Sequence, residues 1–112
     1  MKGTYLGEFE ELVLLTVGIL FDDAHGISVQ QELENQSGRK PMISAVHKVL
    51  VRLEDKGFLT SKMGGATTER GGRRKRLYEM TPAGKRALAG SRTLRNKMWD
   101  AIPKVVWEGG QL

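Results

Sequence analysis

The densest positive charge in the chain is the run Arg73, Arg74, Lys75 and Arg76, with Arg70 just upstream across Gly71 and Gly72. These groups keep their protons at neutral pH, so their chemistry is the binding of anions. A guanidinium offers a planar fork of donors that matches a phosphate, and an ammonium offers a compact point charge. A second polar set lies earlier, where Ser44, His47, Lys48 and Arg52 recur at helical spacing. Within it Lys48 can meet a base edge or a phosphate, and the phosphate role is the commoner one. Arg52 can meet a phosphate or close an internal ion pair. His47, which titrates near neutrality, reads as a pH-sensitive contact or an ordinary exposed histidine.

Positioning these side chains falls to a short series of elements. The apolar residues Leu6, Phe9, Leu12, Val13, Leu15, Val17, Ile19 and Leu20 predict a helix over 6–21 buried on much of its circumference. "DDAHG" ends it. A shorter helix over 28–36 turns Val29 and Leu33 inward, with Ser28 as its N-cap, and Gly38 and Pro41 stop it. In the third helix Ser44 is the expected cap. Val46, Val49, Leu50 and Leu53 share one face, and Ser44, His47, Lys48, Val51 and Arg52 share the other.

After Gly57 the apolar period changes from helical to alternating. "FLTSKM" and "RRKRLYEM" read as two strands around a loop, "GGATTERGG", and so make a β-hairpin. Thr81 and Pro82 then have the N-cap and first-turn chemistry of a new helix, over 82–102, which Pro103 ends. Its apolar residues Leu88, Leu94, Met98, Trp99 and Ile102 are too sparse for a core but suit a seam against another helix.

The order helix, helix, helix, hairpin, helix is that of a winged helix-turn-helix, a mainly α fold with a small β-hairpin. Such a third helix fits the major groove of duplex DNA, and a basic hairpin beside it can follow the phosphates. On this reading Arg70, Arg73 and Lys75 make the wing contacts, joined by Arg74, while Ser44, His47, Lys48 and Arg52 face the groove. Charge is split in the same sense. Residues 1–40 hold three Lys/Arg against seven Asp/Glu, and residues 41–112 hold fifteen against six, within a net +5.

Three segments, "LGEFEELVLLTVGIL", "HKVLVRLEDKGFLTS" and "ERGGRRKRLYEMTPAGKRAL", resemble the PadR-like transcriptional regulators. With their spacing they span most of residues 4–90. The resemblance implies a dimeric repressor on a palindromic operator. It also implies an interface made by the first and last helices, with Leu6, Phe9, Leu94, Met98 and Trp99 in it and Ile102 on the same seam. A small aromatic inducer stacked on Trp99 is a further implication, because some relatives bind flat aromatic drugs between interface tryptophans. His47 stands where the family usually has tyrosine. Many members carry a further helical domain where this chain has only "PKVVWEGGQL", so dimerisation is expected to rest on one long helix per subunit plus the first. The expected layout is one domain over 1–112, with a winged-helix core at about 4–80, a dimerisation helix at 81–102 and a tail at 103–112.

Other functions find less support. Glu10/Glu11 diverge on a helix and Asp22/Asp23 sit in a turn, so neither pair converges for catalysis. His25 and His47 have no carboxylate cluster to make a metal site with them, and the glycine-rich loop lacks the Gly-Lys-Ser/Thr that grips a nucleotide. The expectation is therefore no enzyme, cofactor or metal. A winged helix can also serve as a protein–protein docking module, and fold alone does not choose between the two. The chain has no cysteine and no apolar run of membrane-spanning length, and glutamates interrupt its N-terminal apolar stretch. These features give the expectation of a soluble cytoplasmic protein.

Overall fold

Val46, Val49, Leu50 and Leu53 form the inward face of a regular helix, as their spacing requires, and all four are buried. The computed structural model describes residues 5–66 and 74–109. The elements run α1 (Glu8–Leu20), α2 (Gly26–Ser37), α3 (Ile43–Asp55), β1 (Leu59–Ala66), β2 (Arg74–Met80), α4 (Pro82–Ala101) and α5 (Lys104–Glu108). Val13, Leu14 and Val17 of α1, Val29 and Leu33 of α2, the α3 quartet, Phe58, Leu59 and Tyr78 make one core.

Strands β1 and β2 pair antiparallel in the register Leu59↔Met80, Ser61↔Tyr78 and Met63↔Arg76, with an irregularity between Met63 and Ala66. Main-chain bonds fix the hairpin to the helices. The Tyr78 N–H donates to the Ala24 carbonyl at 2.8 Å, and the Phe58 N–H donates to the Leu53 carbonyl at 2.9 Å. Gly57, at φ 85°, supplies the left-handed turn from α3 into β1. Thr81 caps α4 as expected, its Oγ1 accepting from the Gly84 N–H at 3.0 Å.

Several local expectations are corrected. The N-cap of α2 is His25, not Ser28. Ser28 lies in the first turn, where its Oγ accepts from the His25 N–H at 2.9 Å and so caps backward. Met42 precedes α3, which places Ser44 inside the helix. β1 continues through Gly64 and Gly65, which the sequence assigns to the loop. Residues 103–108 are not an open tail, because Pro103 ends one helix and starts another, α5. α1 is buried on much of its circumference, but Leu12, Leu15 and Ile19 of its apolar set form an exposed stripe.

One buried charge joins α1 to α3. Glu10, whose side chain is 8% exposed, accepts from the Gly7 N–H at 2.7 Å and from Lys56 Nζ at 2.9 Å. Arg52 lies 3.9 Å from its other oxygen, and Lys56 also donates to the Tyr5 carbonyl at 2.8 Å. Burial alone would raise the Glu10 pKa. The hydrogen bonds from Lys56 and Gly7, with the charges of Lys56 and Arg52, outweigh it and hold the group below its ordinary value. A depressed carboxylate pKa contributes stability that is present above the unfolded-state value of 4.5 and is lost as pH falls through the folded one. Glu10→Gln should lower the unfolding free energy in urea by about 1–3 kcal/mol at pH 7. It should also flatten the loss of stability below pH 4.5; an unchanged acid profile would mean that this cluster does not hold the helices together.

Candidate nucleic-acid interface

With the α3 quartet inward, Ser44, His47, Lys48, Val51 and Arg52 are all exposed on the opposite side. His47 is not an isolated surface group. Its imidazole lies over Gly26 at the start of α2, so closely that a Cβ on Gly26 would fall on the ring. A side chain at this position would displace the ring, and glycine is what permits the approach.

The wing reaches the same place from the other direction. The Tyr78–Ala24 bond draws β2 alongside the α1–α2 turn. His25, next to Gly26, is held below its usual pKa by burial, then by the positive charge of Lys75, with Asp23 opposing. Gly26 thus meets the His47 ring of α3 directly, and its neighbour His25 feels the charge of Lys75 on β2.

Other cations have intramolecular partners. Arg52 is paired with Glu10, which is the ion-pair alternative left open by the sequence. Arg74 donates from Nε to the Gly64 carbonyl at 2.8 Å and ties the strands together near the irregularity. Arg76 donates to Ser61 Oγ at 3.0 Å. Arg70 and Arg73 lie outside the described residues. Ser44, His47 and Lys48 thus share the exposed side of α3, Lys75 is exposed on β2, and Arg52 and Arg74 have structural partners as well. Gly26 and His25 were not foreseen. The one local sign was a serine three residues after His25, able to cap backward.

The apolar surface forms a second region. Leu94, Met98 and Trp99 are exposed on α4, and Ile102 and Phe9 are half-buried. Leu6 belongs to its own subunit's core and shows its remaining surface to a groove of about 670 Å³ along α4. Phe58, Ala87, Leu94 and Met98 also line that groove. Arg95 bridges to Glu11 at 2.9 Å and holds α4 against α1. Trp99, 62% exposed, meets Trp107 of α5 with ring centroids 4.7 Å apart and planes tilted by 31°. Among the described residues no group of three or more acidic, His or Cys side chains could hold a metal ion, and no helix is long and apolar enough to cross a membrane.

A family model described as the transcriptional regulator PadR-like family matches residues 14–90. None of the curated proteins matches the chain. Solved structures share the fold at low identity. A PadR family transcriptional regulator from Eggerthella lenta is 22% identical, with a TM-score of 0.67 over 89% of this chain and 87% of that one. One from Clostridium difficile is 18% identical, with a TM-score of 0.69 over 84% and 93%. H. salinarum RosR is 20% identical, with a TM-score of 0.68 over 91% and 84%.

The Gly26–His47 contact is open to a direct test. Gly26→Ala should leave the melting temperature nearly unchanged, because the clashing atoms belong to a side chain that can swing away. Displacing His47 should weaken retention by duplex DNA by roughly three- to tenfold, the scale of one lost hydrogen-bonded contact. Wild-type retention in an anisotropy titration would show that the placement of His47 is immaterial.

Proposed function

This chain belongs to the PadR-like family of transcriptional regulators, and on that premise we propose that it is a cytoplasmic repressor that binds a palindromic operator as a homodimer. Its place in a family of DNA-binding regulators, rather than enzymes, comes from the match over residues 14–90. The observation that carries the finer reading is the exposed polar side of α3, with His47 seated on Gly26, together with the Tyr78–Ala24 bond that sets the cationic strand β2 beside the α1–α2 turn. It supports α3 and the wing meeting one duplex together, with α3 in the major groove and the wing cations on the adjoining backbone.

Dimerisation is supported by the apolar surface that a single subunit leaves uncovered. Leu12, Leu15 and Ile19 of α1 and Leu94, Met98 and Trp99 of α4 are exposed together. A second subunit related by a twofold axis would cover both stripes and present two α3 helices, the arrangement that reads an inverted repeat. The interface of this proposal centres on α4 and the outer stripe of α1, with Phe9 and Ile102 at its margins and Leu6 beneath it. A planar aromatic inducer is a further proposed partner. The exposed Trp99 offers an indole face for stacking, and its geometry with Trp107 shows that the face accepts an aromatic neighbour.

Selection of bound fragments from a random duplex library tests the reading. Enriched inverted repeats are expected, whereas solitary asymmetric sites would sink the dimeric form of the proposal. Lys48→Ala and Lys75→Ala should each reduce the slope of log affinity against log salt by about one. A protein-docking module would instead show weak, shallow salt dependence with DNA. Leu15→Glu should shift the sedimenting species from dimer to monomer and weaken operator binding by roughly tenfold or more, because each wing and helix then loses its linked twin. A dimer surviving that change would place the interface elsewhere.

A further inference from the structure

Lys48, His47 and Lys75 account for an interface but not for what fixes the angle between α3 and the wing. The two elements are covalently joined only through Lys56, Gly57 and Phe58, and Gly57 is in a left-handed turn. Beyond the hydrophobic packing of Leu53, Leu59 and Tyr78 and the main-chain bond from Phe58 to Leu53, one side-chain relay among the described residues connects them. Ser61 Oγ on β1 donates to the Glu54 carboxylate in the last turn of α3, with its two oxygens 2.9 and 3.1 Å away. Arg76 on β2 donates to the same Oγ at 3.0 Å.

A hydroxyl has one proton and two acceptor sites, so this arrangement has a single polarity. The proton points to Glu54, and the lone pairs receive the guanidinium. Both neighbours carry full charges of opposite sign, and each strengthens the bond on the other side. Among the described residues Arg76 and Glu54 form no direct ion pair, so the hydroxyl links them. Ser61 also stands opposite Tyr78, the residue whose N–H anchors β2 to Ala24. The relay therefore sits where the hairpin leaves the core, and a small rotation there becomes a large displacement further along the wing.

We propose that Ser61 is a positioning residue for DNA binding, whose hydroxyl couples Glu54 of α3 to Arg76 of β2 and so sets the wing at the angle that lets both elements engage one duplex. This rests on the DNA-binding reading above. Interfaces of this kind tolerate errors of only about 10–20° in the groups that make contact. Arg76 serves in this role through its bond to Ser61 of the same hairpin, which separates it from Lys75, whose charge acts at His25.

The test compares wild type, Ser61→Ala, Ser61→Thr, Lys75→Ala and the double variant Ser61→Ala/Lys75→Ala, each checked by thermal melt and titrated with an operator-length duplex at two salt concentrations. Ser61→Ala should bind roughly three- to tenfold more weakly with a salt slope shallower by up to about one, since the misplaced wing loses the Lys75 phosphate contact although no cation is removed. Ser61→Thr keeps the hydroxyl and suits a strand, so its affinity should stay within about twofold of wild type. In the double variant the two losses should be clearly less than additive, because a misplaced wing has already lost its Lys75 contact. Wild-type affinity in Ser61→Ala, a salt slope unchanged from wild type, or strictly additive losses would each overturn the proposal; the last would leave Ser61 a purely structural role. Failure of the wild-type chain to bind any duplex would instead remove the DNA-binding premise, and the positioning role with it.

Discussion

The inward burial of Val46, Val49, Leu50 and Leu53 decides which way α3 faces. Each buried aliphatic side chain contributes about 1.5–3 kcal/mol relative to exposure. Turning α3 by half a revolution would forfeit four of them, a sum comparable to the roughly 5–15 kcal/mol that keeps an entire domain folded. The outward side of α3 is therefore set mainly by the face opposite it, with Arg52 alone of the outward set tied back to Glu10. Ser44, His47 and Lys48 need not stabilise anything, and their chemistry is free to serve recognition.

Electrostatics divides the remaining cations into two groups. Arg52, Lys56, Arg74, Arg76 and Arg95 each pair with or hydrogen-bond to a carboxylate, a carbonyl or a hydroxyl of the same chain. They join α3 to α1, strand to strand, and α4 to α1. Lys48, Lys62, Lys75 and the cations of α4 other than Arg95 have no such bond among the described residues. Part of the positive charge in the second part of the sequence is therefore structural, used where one element must be held to another.

The elements with strong local signals were the most legible in the sequence. The α3 quartet, the Thr81-Pro82 helix start and the alternating β2 segment each encode their conformation within a few residues, and the winged-helix order follows from them. Ser28 and Ser44 misled because a serine near a helix start can act at more than one position, and the backbone around Ala24 and Met42 decides which. α5 was hidden because a five-residue helix has too few turns to show a period. The pairing of Trp99 with Trp107 depends on the bend at Pro103, which sequence spacing does not reveal. In the candidate site, Lys48 and Lys75 could be read from charge alone. The Gly26–His47 contact could not, since it joins residues twenty-one positions apart whose only signal is the absence of a side chain. The mixture of exposed and buried apolar residues on α1 was equally illegible, because periodicity shows that a face is apolar but not what covers it.

Gly84 sits where α4 passes over the Phe58 main chain, and any side chain there would collide with the Phe58 carbonyl and with Met80. With backbone set directly on backbone, no layer of deformable side chains lies between the long helix and the root of the hairpin. Motion of α4 must therefore carry that root with it, like a crank welded to its shaft. Whatever tilts the far end of the helix, around Trp99, would be transmitted mechanically across the molecule instead of being absorbed along the way.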